Sequence, residues 1–161
     1  MKKLNRKGFT LIELLAVIVI LAIVVVVTIP SVLNSINKAK ESSLSNATAT
    51  VTEWFTKQYE LSTLGTEITE GPSNDYKDFI DTLKDKKIPA VDATNGNPTQ
   101  ELTPEVLKAA GITNTTGLEG KIGLNGTKIC ITLEAKTNSQ FYVSGASNNN
   151  KGIGSGCNIK K

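Results

Sequence analysis

The chain has no histidine among its 161 residues and contains only 2 cysteines. Histidine is the most frequent general base and metal ligand, so its absence argues against the common catalytic and metal-binding designs. Cys130 and Cys157 lack the spacing of a metal motif or of a CxxC redox pair. The sequence also has no phosphate-binding glycine loop and no nucleophile motif. We therefore predict a protein that is not an enzyme and that needs no metal or cofactor.

Excess positive charge is absent once the N-terminus is set aside. Four of the 18 Lys and Arg residues lie within the first seven positions, which leaves 14 against 15 Asp and Glu. A nucleic-acid-binding domain would carry its positive charge on the folded part of the chain. We therefore expect no nucleic-acid partner and interpret the basic start as a topogenic signal.

Charge and glycine are nearly absent from a long apolar run near the N-terminus. From Phe9 to Ile29, 18 of 21 residues are apolar, none is glycine, and the only charge is Glu13. As a helix this run would span about 30 Å, the thickness of the hydrocarbon core of a bilayer. The basic residues before the run predict a cytoplasmic N-terminus, with the rest of the chain outside. A carboxylate inside such a run costs at least about 2.5 kcal/mol, so Glu13 needs an explanation.

Three interpretations of this run compete. A cleaved secretory signal would have a shorter apolar core and a small-x-small cleavage site, which Thr28-Ile29-Pro30-Ser31 does not match well. A plain membrane anchor would place Glu13 near the cytoplasmic interface, where its side chain could reach water. The third interpretation depends on the residues around Glu13 themselves.

Gly8-Phe9-Thr10-Leu11-Ile12-Glu13, after a basic leader of eight residues, closely resembles the prepilin signal of type IV pilins and type II secretion pseudopilins. The resemblance is densest over residues 1–33. It implies that a prepilin peptidase cleaves between Gly8 and Phe9 and that the new N-terminal Phe9 is N-methylated. It also implies that Glu13 pairs with the Phe9 amine of a neighbouring subunit in a filament, since an opposite charge makes a buried carboxylate tolerable.

The apolar run is predicted to continue into an amphipathic helix. Pro30 removes a backbone donor, so we expect a kink near residues 26–30; the resemblance implies that the helix bends here and locally unwinds in some filaments. An apolar stripe with spacings of mostly three, four and seven extends the helix to about residues 59–64, where Gly65 ends it. We expect Trp54 and Phe55 on this stripe to anchor a globular head.

The rest of the chain predicts a small α+β head. A short amphipathic helix is expected over residues 75–86, and Thr103-Pro104-Glu105 predicts the start of another, which Gly111 ends. A hairpin is predicted with strands over Lys121–Leu124 and Thr127–Ala135 and with Asn125-Gly126 as its turn. A third strand is expected over Gln140–Gly145.

The two cysteines would lie on the extracytoplasmic side, where disulfides persist. Ile129, Ile131 and Leu133 share one face of the predicted strand, so Cys130 points to the other. We expect Cys130 on the outer face, where a glycine-rich tail carrying Cys157 could cross it and form a disulfide. Two free thiols are the alternative. The resemblance also implies a C-terminal disulfide that borders a variable surface loop.

The predicted fold is a long N-terminal helix, half transmembrane and half amphipathic, packed against a small antiparallel sheet. Its segments are a leader (1–8), a membrane or filament-core segment (9–29), an amphipathic continuation (30–64) and a head (65–161). The resemblance implies a structural subunit, the major pilin of a type IV pilus for adhesion, motility or aggregation. A pseudopilin of a secretion or DNA-uptake system and a membrane-tethered binding protein are the alternatives.

The resemblance also implies partners and cellular locations. The partners are identical subunits, the prepilin peptidase and N-methyltransferase, and a membrane assembly platform with an ATPase. The precursor would reside in the cytoplasmic membrane with a single span, and the assembled filament would be extracellular. Asn46, Asn114 and Asn125 begin sequon-like Asn-x-Thr triplets, which are common by chance, so we assign no glycosylation to them.

Overall fold

The computed structural model describes residues 9–64, 81, 88–145 and 147–158 of the chain. The leader, Gly65 and the expected helix over residues 75–86, apart from Asp81, lie outside the described residues. In chain order the elements are α1 (Leu11–Thr63), β1 (Gln100–Leu102), α2 (Pro104–Ala109), β2 (Leu118–Asn125), β3 (Lys128–Ala135), a 3-10 turn (Ser147–Asn150) and β4 (Lys151–Ile153). The chain divides into two compact units, one up to Lys38 and one from Ala39 onward.

The second unit is a four-stranded antiparallel sheet packed on the C-terminal half of α1. The strands are ordered β1-β2-β3-β4, so each strand pairs with the next one in the sequence. The helix contributes one buried face, whose members recur every three or four residues as a helical stripe requires: Leu44, Thr48, Val51, Thr52 and Phe55. Trp54 is partly buried against the same core. The predicted α+β fold and the anchoring role of Trp54 and Phe55 are confirmed.

The predicted hairpin is present, but its turn is shifted by one residue. Asn125 pairs directly with Lys128, so Gly126 and Thr127 form the two-residue turn. Gly126 adopts a φ of 64°, a left-handed conformation that glycine takes at little cost. Asn125 therefore ends β2, whereas the sequence had placed it in the turn.

The expected third strand over Gln140–Gly145 is wrong. Phe141 and Val143 are buried, which explains the alternating pattern that suggested a strand. However, the side chain of Asn150 accepts a hydrogen bond from the Val143 N–H at 2.7 Å and donates one to the Val143 carbonyl at 3.0 Å. Because a side chain satisfies this backbone, the segment does not join the sheet, and the fourth strand is Lys151–Ile153.

Helix α2 begins and ends as its sequence predicts. Thr103 Oγ1 accepts a hydrogen bond from the Val106 N–H, and Pro104 occupies the first helical position. Gly111 follows the helix with a φ of 99°, and its N–H donates to the Lys108 carbonyl. Both caps are therefore local consequences of the sequence.

The C-terminal strand lies unusually close to helix α1. A Cβ atom added to Gly152 would lie 1.9 Å from Thr48 Oγ1, and one added to Gly154 would lie 2.4 Å from Thr52 Oγ1. The two threonines are one helical turn apart, and each hydroxyl donates to the carbonyl four residues earlier. Glycine within β4 and directly after it thus allows this backbone to pack closely on the helix.

Candidate processing and assembly site

The N-terminal unit presents an apolar helix with an exposed surface. From Phe9 to Ile36, every described side chain is exposed, and Phe9 itself is 92% exposed. Helix α1 is long and apolar enough, by length and composition, to cross a membrane. Single exposed apolar residues are ordinary on soluble proteins, but a continuous apolar surface on this scale marks a membrane or protein contact. The apolar segment expected from the sequence is thus a helix whose apolar side chains are exposed in the single chain.

Glu13 is held by Thr10 at the start of this helix. Thr10 precedes the first helical residue, and both its backbone N–H and its hydroxyl donate to Glu13 Oε2 at 2.8 Å. In return, the Glu13 N–H donates to Thr10 Oγ1 at 3.3 Å. This reciprocal arrangement is a capping box, in which the first and fourth residues satisfy each other's backbone donors.

The capping box changes the interpretation of Glu13. A carboxylate at the N-terminal end of a helix also interacts favourably with the helix dipole. Glu13 therefore has hydrogen-bond partners within its own chain, in addition to any partner that it gains on assembly. Sequence reasoning treated Glu13 only as half of an ion pair and missed Thr10, although the Thr-x-x-Glu spacing is the signature of this cap.

The remaining processing residues are placed only in part. Gly8 lies outside the described residues, while Phe9 directly precedes the cap. Helix α1 continues through Pro30, and the residues on both sides of the proline are helical. Just before the proline, the Thr28 hydroxyl donates to the Val25 carbonyl at 3.2 Å. The kink expected at residues 26–30 stays a prediction.

Cys130 and Cys157 form a disulfide, with their Cα atoms 4.6 Å apart. The expected crossing of the outer face by the tail is wrong. The Gly154 N–H donates to the Ile131 carbonyl at 2.8 Å, so the tail runs along the edge of β3 beyond β4. Cys130 is fully buried, because residues 91–98 cover its face of the sheet: a Cβ atom on Gly123, which pairs with Cys130, would touch Pro98 and Val91.

A charged cluster lies on the open part of the sheet. Glu119 and Glu134 are directly opposite each other on β2 and β3, an arrangement that is unfavourable for like charges. Lys136 Nζ lies 2.9 Å from Glu134 and 3.2 Å from Glu119, and so bridges the two carboxylates. The hydrogen bond from Lys136 lowers the pKa of Glu134, and the hydrogen bonds to Glu134 and Glu119 raise the pKa of Lys136. Lys136 thus offsets the repulsion between the two carboxylates, which is typical of a structural surface cluster.

The part of the chain that the structure describes offers no metal-ligating group of three or more His, Cys, Asp or Glu side chains. Its two cysteine sulfurs are bonded to each other and hold no free thiol. The features of chemical interest in the described residues are therefore the capped N-terminal helix end, its apolar surface and the disulfide.

Comparison with protein families identifies the N-terminal segment. Residues 3–29 match the family model of the prokaryotic N-terminal methylation motif, and the match does not extend into the head. The comparisons with curated proteins and with solved structures found no match. The matched residues include Gly8, Phe9 and Glu13 and end just before Pro30. The chain therefore carries at residues 3–29 the N-terminal methylation motif that is the hallmark of the type IV pilins and pseudopilins.

Proposed function

We propose that the chain is a structural filament subunit, the major pilin of a type IV pilus. The precursor is anchored in the cytoplasmic membrane by residues 9–29, cleaved between Gly8 and Phe9, methylated on Phe9 and then polymerised. The observation that carries this proposal is the match of residues 3–29 to the N-terminal methylation motif. Adhesion, motility or aggregation through a surface filament would follow from this role.

The exposed apolar helix supports polymerisation as the fate of the anchor. Every side chain from Phe9 to Ile36 is exposed in the single chain. Burying such side chains stabilises an assembly by about 25 cal/mol for each Å² of apolar surface removed from water. Leaving the lipid removes an equally apolar environment, so identical helices in the filament core must replace it. Extraction is therefore assigned to an assembly platform with an ATPase.

The two ends of the Thr10–Glu13 pair have different parts in this proposal. Thr10 caps the helix of each subunit and keeps the carboxylate hydrogen-bonded before assembly. Cleavage creates the Phe9 amine, which gives Glu13 an oppositely charged partner on a neighbouring subunit. A subunit in the wrong register would leave both charges unpaired in an apolar core, at considerable cost. Glu13 and Phe9 thus set the register of the filament.

The mature N-terminus tests the processing step. We expect mass spectrometry of protein from the producing cell to find a chain that begins at N-methylated Phe9. Gly8→Leu is the matched variant, because a bulky side chain blocks the close backbone approach that glycine allows, and it should accumulate the uncleaved chain. A wild-type chain that retains Met1 and the leader would contradict the proposal and favour a plain membrane-tethered binding protein.

A pseudopilin shares the motif and is the second candidate. Electron microscopy of wild-type and gene-deletion cells distinguishes the two roles. Long surface filaments that disappear in the deletion strain and label with antibodies to the head support the pilin. Methylated Phe9 without surface filaments would instead assign the chain to a short envelope-spanning pseudopilus.

A further inference from the structure

The sequence contains Asn-Gly twice, at Asn95-Gly96 and Asn125-Gly126. At such a pair the backbone nitrogen of the glycine can attack the side-chain carbonyl carbon of the asparagine, since glycine has no side chain to hinder the approach. Both pairs lie in the second unit, and their surroundings differ. The rate of this reaction at one pair can therefore be measured against its rate at the other in the same protein.

Both reacting groups of the first pair are held. The Gly96 N–H donates to the Asp92 carbonyl at 2.7 Å, so its nitrogen is engaged. The side-chain oxygen of Asn95 accepts a hydrogen bond from the Asn97 N–H at 2.8 Å, which restricts rotation of the amide. Attack at this pair requires the hydrogen bond between Gly96 and Asp92 to break first.

In the second pair the attacking nitrogen is accessible. Gly126 is an exposed residue of the turn between β2 and β3, and a Cβ atom placed on it would have no neighbour within 4 Å. Among the described residues, none accepts a hydrogen bond from the Gly126 N–H. The Asn125 amide makes one contact with the C-terminal tail: its Nδ2 donates to the Gly156 carbonyl at 3.1 Å.

We propose that Asn125 is a site of spontaneous deamidation and that its conversion releases the contact with the C-terminal tail. The Gly126 nitrogen forms a bond to the Asn125 Cγ, the Cγ–Nδ2 bond breaks, and ammonia leaves with the proton of the Gly126 amide. Water then opens the cyclic imide at either carbonyl and gives aspartate or isoaspartate. The only co-reactant is water, and no oxidant or reductant takes part.

The conversion removes a donor where the tail requires one. An ionised carboxylate only accepts hydrogen bonds, so it faces the Gly156 carbonyl without a proton to share. Isoaspartate also adds an atom to the backbone beside the Asn125–Lys128 pair, the last pair of the hairpin. Both products weaken the contact between this turn and residues 156–157, which the disulfide fixes to β3.

Ageing of the full-length protein in detergent at mildly alkaline pH tests the site. Trypsin releases residues 122–128 and residues 88–108 as separate peptides, each with one Asn-Gly pair. We expect the first to gain the mass of an amide-to-acid conversion at least about fivefold faster, the factor that a typical hydrogen bond makes in a rate. In Asn125→Gln, whose longer side chain closes the ring poorly, residues 122–128 should stay unmodified. Equal rates in the two wild-type peptides, or faster conversion of Asn95, would overturn the assignment.

Hydrogen exchange tests the consequence for the tail. Asn125→Asp mimics one product and should increase exchange over residues 154–158, whereas Asn125→Gln retains an amide donor and should change it less. Exchange over α2, which is remote in sequence from the tail, reports that the variant is folded. Unchanged exchange of the tail in a folded Asn125→Asp variant would show that the tail does not depend on Asn125.

Discussion

Gly152 in β4 is so close to Thr48 in α1 that a Cβ atom on the glycine would lie 1.9 Å from the threonine Oγ1. The same atom would lie 3.0 Å from Thr48 Cβ and 3.2 Å from the Leu44 carbonyl. We expect Gly152→Ala to lower the free energy of unfolding by about 1–3 kcal/mol, the range for overpacking in a tight core. Urea unfolding of the protein in detergent would measure this change.

A double-mutant cycle tests whether the contact with Thr48 causes the destabilisation by Gly152→Ala. Thr48→Ala removes the Oγ1 atom, so the cost of Gly152→Ala should be smaller in its presence, although contacts with Thr48 Cβ and the Leu44 carbonyl remain. Gly156→Ala is the matched control, because its Cβ would meet the Ile129 carbonyl at 1.9 Å. Thr48→Ala should not rescue Gly156→Ala. Additive effects of Thr48→Ala and Gly152→Ala would contradict the proposed contact.

The capping box allows the two roles of Glu13 to be separated. Glu13→Gln keeps an acceptor for the Thr10 donors but removes the charge, whereas Thr10→Ala removes the cap and keeps the charge. If charge sets the register, Glu13→Gln should abolish most of the filament sheared from cells, while Thr10→Ala should cost only about 1 kcal/mol of helix stability. Thr10→Ser retains the cap and should behave as wild type. Membrane fractionation should find all three precursors inserted, and equal filament loss in Thr10→Ala and Glu13→Gln would assign the role to the cap.

The disulfide stabilises the head by restricting the unfolded chain. Its cysteines are 27 residues apart, which corresponds to about 3.5 kcal/mol in the chain-entropy treatment. The double variant Cys130→Ala and Cys157→Ala should unfold at a correspondingly lower urea concentration. Wild-type protein unfolded in the presence of a thiol reductant should approach the same midpoint. A double variant as stable as the oxidised wild type would contradict this contribution.

The Lys136 cluster predicts a pH-dependent effect. The pKa of Glu134 is lowered in the folded protein, so its ionised form stabilises the fold. This contribution to the free energy of unfolding is present above the ordinary glutamate pKa of about 4.3 and is lost as the pH falls through the folded pKa. Since the pKa of Lys136 is raised, its contribution to the free energy of unfolding is lost only as the pH rises through its folded pKa, above the ordinary lysine pKa of about 10.4. Lys136→Met should therefore destabilise at pH 7 and destabilise less at pH 3.

We expect the loss of stability in Lys136→Met to be small, because the side chains of Glu119, Glu134 and Lys136 are each more than a third exposed. Glu119→Gln is the matched test, since it removes the repulsion from Glu134 across the strands. It should recover part of the stability that Lys136→Met loses. Thermal melts at the two pH values measure both changes, and a loss with Lys136→Met that is the same at pH 3 and pH 7 would exclude an electrostatic origin.

The elements that could be predicted from the sequence are those with local causes. Helix α2 has its cap and its proline within three residues, and the hairpin has alternating strands around a glycine turn. The Phe9–Glu13 motif is likewise contiguous. Each is determined by neighbours along the chain, so α2 and the hairpin turn agree with the pattern to within a residue, while β2 begins three residues before the predicted Lys121.

The wrong or missing predictions depend on distant contacts. Residues 140–145 alternate like a strand, but the side chain of Asn150, seven residues later, forms hydrogen bonds with the N–H and the carbonyl of Val143. Strands β1 and β4 have only three residues each, too few to give a periodic signal. The position of β4 depends on Thr48 and Thr52, about a hundred residues earlier, which no local pattern reports.

The disulfide also has a mechanical consequence. Cys130 and Cys157 enclose β4 and residues 131–135 of β3 in a covalent loop. Tension applied to the two ends of the polypeptide would pass through the sulfur bridge and bypass residues 131–156. The pairing of β3 with β4 would therefore carry none of that load, and the chain could not lengthen by unravelling this part of the head.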